Sequence, residues 1–137
     1  MNVHEIRPKL SESEKITINL GLIDLGQIDL LVQEGFYSNR TDLIRTAIRN
    51  QLSTHADVVK QTVARKSLVL GLQHYSRADL EAILAAGQRL QIQVLGLASI
   101  GTDVSPELAL ATIDSVVVLG ALHASSAVKT ALAGRIR

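Results

Sequence analysis

The chain has 137 residues, 47% apolar and 20% charged, with a net charge of +1. That is a globular rather than a disordered composition. With no cysteine, a disulfide scaffold, a thiolate metal site and a cysteine nucleophile are excluded. Phe36, Tyr37 and Tyr75 are too few aromatics for a base-stacking platform. No apolar run approaches the roughly 20 residues a bilayer requires. Glu5, Glu12 and Glu14 stand where a signal peptide would be apolar. The expected setting is the cytoplasm, with no membrane partner.

Residues 1–66 carry nine basic and eight acidic groups, and residues 67–137 carry five of each. No block of like charge exists, so binding to nucleic acid would require geometry to gather a few cations on one face.

Residues 1–14 are polar, contain Pro8 and lack periodicity, which predicts a flexible arm. Residues 15–20 alternate polar and apolar, which predicts a half-buried strand. Ile16, Ile18 and Leu20 form one face; Lys15, Thr17 and Asn19 form the other. A short helix follows. Asp24 and Gln27 fit a capping box, Ile28, Leu31 and Val32 recur at helical spacing, and Gly35 suits a C-cap. Gly26 is expected in the first turn of this helix.

A second helix starts at Ser38 or Asn39, with Arg40, Thr41 and Asp42 in its first turn. Leu43, Ile44, Ala47, Ile48 and Leu52 form its apolar stripe. Arg45 and Arg49 lie off the stripe and read as solvated or acid-paired. With no Gly or Pro between Phe36 and Leu70, the helix is expected to run to about residue 65.

The second half is repetitive. The tripeptide VLG occurs at residues 69–71, 94–96 and 118–120, its glycines 25 and then 24 residues apart. Each copy precedes a polar break and a helical pattern, over about residues 77–88, 106–115 and 126–133. Ser76, Ser105 and Ser125 are the expected N-caps, with Pro106 at N1. This predicts three strand–helix repeats with apolar strands near 67–72, 91–100 and 116–122. The last strand has no obvious cover for its edge, so residues 67–137 are expected to self-associate. The chain therefore reads as α/β overall, divided into an arm at 1–14, a first domain at 15–66 and a β-α repeat domain at 67–137.

One six-residue strand leaves both edges unpaired, so the first domain calls for a second copy of the chain. Two such strands would pair antiparallel over a joint core of Ile16, Ile18, Leu20, Leu43, Ile44 and Ile48. Lys15, Thr17 and Asn19 would then point outward from both chains. A two-stranded ribbon fits the major groove of B-DNA, where Lys, Thr and Asn have suitable base-reading chemistry.

Residues 13–55, with the alternating strand, the helix ending at Gly35 and the segment SNRTDLIRTAIR, resemble ribbon–helix–helix DNA-binding proteins of the CopG/MetJ/Arc type. The resemblance implies an N-terminal ribbon–helix–helix dimerising domain whose outward strand residues, here Lys15, Thr17 and Asn19, read bases. It also implies a phosphate clamp at the start of the second helix, at Ser38, Asn39, Arg40 and Thr41, where free amides and the helix dipole favour an anion. The module is closer to neutral than is usual for the family.

His4, His55, His74 and His123 are scattered, and no metal site, cofactor or catalytic constellation is expected. The VLG glycines recur singly and make no phosphate loop. The expected function is that of a non-enzymatic, sequence-specific regulator of transcription, most simply a repressor. Its partners are an operator in double-stranded DNA, its own copy through the ribbon, and further copies through residues 67–137 as a tetramer or higher assembly. When bound to DNA it would be nucleoid-associated. The alternative is an antitoxin whose C-terminal half binds a toxin.

Overall fold

A computed structural model describes residues 13–137. The expected arm at 1–14 lies outside the described residues except for its last two positions. The described chain divides into two compact units, Ser13–Thr62 and Val63–Arg137. Together they contain six α-helices and a three-stranded parallel sheet.

In the first unit, residues 13–20 form no ladder within one chain. A ladder needs a partner strand, so the ribbon expected from the sequence would require a second chain. Helix α1 spans Leu22–Gln33 and α2 spans Arg40–Thr54. The capping box expected at Asp24 and Gln27 is absent: α1 starts at Leu22, and its N-cap, Gly21, supplies no side-chain cap. That earlier start also moves Gly26 out of the first turn into the second. The end of α1 is as expected. Gly35 takes φ +87°, its amide bonds to the Val32 carbonyl, and the Phe36 amide bonds to that of Leu31. This is a Schellman closure.

Asn39 caps α2, its side chain accepting from the Asp42 amide at 2.8 Å. The helix does not run unbroken to residue 65. It stops at Thr54, His55 leaves helical geometry, and α3 spans Ala56–Arg65. The Thr54 hydroxyl donates back to the Asn50 carbonyl at 3.2 Å, a bond that competes with the helix ladder and bends helices. α3 ends in another Schellman closure, with Ser67 at φ +53°.

In the second unit the repeat reading holds. β1 spans Val69–Tyr75, β2 Leu90–Ile100 and β3 Ile113–His123, in spatial order β1-β2-β3, all parallel. The three VLG segments stand in register, Val69 beside Val94 beside Val118 and likewise through the glycines. α4 (Arg77–Ala85), α5 (Pro106–Thr112) and α6 (Ser126–Leu132) follow their strands. Ser76, Ser105 and Ser125 each accept from an amide three residues on, as predicted.

The glycine column is the structural reason for the repeat. Gly71, Gly96 and Gly120 adopt φ of +128°, +140° and +120°. A Cβ on Gly96 would overlap the Gly71 carbonyl oxygen, and one on Gly120 would overlap that of Gly96. Side chains are therefore excluded where the backbones approach.

Several boundaries differ from the prediction: α4 ends at Ala85 rather than about residue 88, and β1 runs to Tyr75 rather than residue 72. α5 stops at Thr112 rather than about residue 115, and β3 begins at once. The Thr112 hydroxyl donates to the Leu108 carbonyl, while Arg89 and Arg135 take the carbonyls of Leu110, Ala111 and Ile113. These arginines close the helix end, where cations are favoured. The edge of β3 is also partly covered: Ile136 bridges to Val116, and the Arg137 amide donates to the Val116 carbonyl at 2.9 Å. The cover comes from the last residues of the chain, which follow α6 back to the sheet.

Alternation sends Ile92, Val94, Ala98 and Ile100 of β2 into one core with Leu80, Ala109, Val128 and Leu132 of the three helices. The helices thus cover one sheet face. Leu70, Leu72 and Leu119 belong to the opposite face and are 68%, 54% and 53% exposed.

Candidate nucleic-acid interface

No residue of the Ser13–Thr62 unit is buried. Ile16 and Ile18 are 76% and 59% exposed, and Leu20, Leu22, Ile23, Phe36, Ile48 and Leu52 are also exposed. Of the six expected core residues only Leu43 and Ile44 are half-buried. Lys15, Thr17 and Asn19 are exposed beside them on the same extended segment. One chain therefore gathers polar and apolar groups on this segment without separating them into outside and inside.

The start of α2 is better ordered. The Asp42 carboxylate accepts from the Ser38 amide at 3.0 Å, while the Asp42 amide donates to Asn39. This reciprocal pair takes up one amide of the expected clamp. The amides of Arg40 and Thr41 remain at the first turn, where a helix supplies no internal acceptor. Ser38, Asn39, Arg40 and Thr41 are all exposed.

Arg40 is held from a direction the sequence did not indicate. Its Nε donates to Asp29 Oδ1 at 2.7 Å and its Nη2 to Asp29 Oδ2 at 2.8 Å. The hydrogen bond from Arg40 holds the Asp29 carboxyl below its usual range, and Asp29 raises Arg40 in turn. This fork ties the middle of α1 to the first residue of α2. Asp29 lies eleven residues before Arg40, on a different helix across the Gly35 turn, so no periodicity within one element marks the pair. Arg45 and Arg49 are exposed on α2 and form no ion pair among the described residues.

Of the histidines, His4 lies outside the described residues. His55 contacts Gln51 at 3.2 Å, and His74 contacts Ser99 at 2.5 Å. Among the described residues no three His, Asp or Glu side chains are grouped to hold a metal ion, and no helix is long and apolar enough to cross a membrane.

No curated protein and no solved structure matches the chain. A family model, that of the ribbon-helix-helix transcriptional regulator family, matches residues 11–129. The match extends well past the 13–55 segment that carries the sequence resemblance and includes the VLG strands. The chain belongs to the ribbon-helix-helix transcriptional regulator family.

Proposed function

We propose that the protein is a repressor that binds an operator in double-stranded DNA as a dimer. The strands at 15–20 of two copies pair antiparallel and enter the major groove. Lys15, Thr17 and Asn19 face the bases. The first turn of α2, with the amides of Arg40 and Thr41 and the hydroxyls of Ser38 and Thr41, rests on a phosphate.

The observation that carries this reading is the unit without a buried residue. Its exposed isoleucines and leucines match the face expected to close over a second copy. Apolar area is worth roughly 25 cal/mol per Å² when removed from water, so only pairing gives this unit a core. Pairing also turns the polar residues of both strands to the same side.

We assign residues 67–137 to assembly. They have their own core, and the exposed Leu70, Leu72 and Leu119 on the sheet face away from the helices, with the rest of the β3 edge, offer contact surfaces. Arg89 and Arg135 are engaged on helix carbonyls, which supports assembly over DNA contact for this half. A self-contained folded domain also supports this role over the toxin-wrapping segment of an antitoxin, since such segments fold on their partner. Footprinting on the protein's own promoter tests the reading. A protected site with two-fold symmetry is expected. Uniform protection of all DNA, or none, would contradict it.

A further inference from the structure

The first and third repeats end their strands with the same short signature, His74-Tyr75-Ser76 and His123-Ala124-Ser125. In the parallel register His74 stands beside Ser99, and Ser99 beside His123. The three side chains therefore share one row, on the sheet face away from the helices. Ser99 is 2% exposed, and its hydroxyl oxygen lies 2.5 Å from His74 Nδ1. The row lines a cavity of about 900 Å³ together with Ile100, Thr102 and Asp103. The cavity opens at the carboxyl ends of parallel strands, where α/β sheets take their ligands. Its volume suits a small molecule.

The lining narrows the ligand class. It has no Lys or Arg, so a polyphosphate lacks its usual partners. The imidazoles can donate N–H groups, while Ala124 and the ring faces supply carbon surface. We propose that this cavity binds a small organic carboxylate, with its headgroup between His74 and His123 and its apolar body against Ala124 and the imidazole ring faces. A Ser99 hydroxyl that donates to His74 Nδ1 places the ring proton on Nε2, from which it can donate to the carboxylate. Ser99 is thus a positioning residue. Asp103 is the one acid in the lining and opposes the ligand's charge.

The DNA reading does not depend on this cavity, so failure here leaves that reading in place. The test uses the full chain with benzoate as probe, followed through the histidine ring proton resonances. Resonances are assigned with His74→Gln and His123→Gln. Benzoate should shift those two saturably in the millimolar range expected of so small a ligand, and leave His4 and His55 unmoved. Benzyl alcohol should bind at least about tenfold more weakly. Ser99→Ala, a small change that preserves packing, should weaken benzoate several-fold, and Asp103→Asn should strengthen it. Four results would overturn the proposal: no saturable shift, equal shifts with benzyl alcohol, weaker binding in Asp103→Asn, or binding unchanged in Ser99→Ala. Perturbation of the same resonances by micromolar Zn²⁺ with none by benzoate would also overturn it, in favour of a metal.

Discussion

Arg40 offers five N–H donors, of which Asp29 takes two. The remaining donors can reach a phosphate, so the residue has both a fold contact and a DNA contact to lose. Comparing two variants separates them. Arg40→Ala removes both contacts and should weaken binding to all sequences, with a salt slope reduced by about one. Asp29→Asn removes only the fold contact and should retain the slope. Equal slopes in the two variants would deny Arg40 its phosphate. Asn19→Ala should act differently, relaxing preference at one operator position by about 1–3 kcal/mol. Random DNA should be bound as before, and a uniform loss would remove the base-reading role from the strand.

The carboxylates carry a pH dependence of known sign. The Arg40 hydrogen bond lowers the Asp29 pKa, and the Ser76 backbone amide followed by its hydroxyl lowers that of Asp79. Their folded forms take up protons less readily than the unfolded chain. Their contribution to stability is therefore present above the ordinary aspartate pKa of about 4 and lost as pH falls through the lower folded values. Urea unfolding at pH 6 and pH 3 should show a smaller acid loss in Asp79→Asn than in the wild type.

Among the elements, the glycine column makes an ordered prediction. Gly96→Ala meets both a positive φ and the Gly71 carbonyl, whereas Gly71→Ala meets the positive φ alone, with nothing within 4 Å of the new Cβ. Gly71→Ala should cost about 1–3 kcal/mol and Gly96→Ala distinctly more. Denaturant titration gives the order, and the reverse order would contradict the close approach of the backbones. Ser67, in the left-handed region at the end of α3, should gain about 1 kcal/mol on replacement by glycine.

These elements also mark how far the sequence was readable. The VLG repeat was legible because each repeat builds its own strand and cap from local residues, so Ser76, Ser105 and Ser125 announced their helices. The short α5 and the cover over β3 were not, because each depends on a bond reaching beyond a local pattern, and the break at His55 was not, because the Thr54–Asn50 bond behind it leaves no Gly or Pro to mark it. Arg135 returning to Leu110, or Ile136 to Val116, leaves no mark on hydrophobic periodicity. Tertiary contact likewise hid the Asp29–Arg40 fork and the His74–Ser99–His123 row. The row had a signal, the shared His-x-Ser of two repeats, visible once the repeats are aligned by their glycines.

For the whole molecule, the two units differ in kind. Val63–Arg137 holds a buried core within one chain; Ser13–Thr62 holds none. The ribbon would join two copies about one two-fold axis, and contacts through residues 67–137 would join dimers about another. The full chain should then sediment as larger than a dimer and bind tandem operators cooperatively, since linked sites raise effective concentration. A full chain that stays dimeric at tens of micromolar would remove the assembly role from the second half.

Residues 13–62 should acquire a core only by pairing. Sedimentation equilibrium of a fragment comprising residues 1–66, across a dilution series with helix content followed by circular dichroism, tests it most directly. A dimer is expected whose helix content falls as dilution separates the chains, with no folded species for Ile18→Asp, which would bury charge in the joint core. A fragment that remains helical and cooperatively folded as a monomer at micromolar concentration would contradict it.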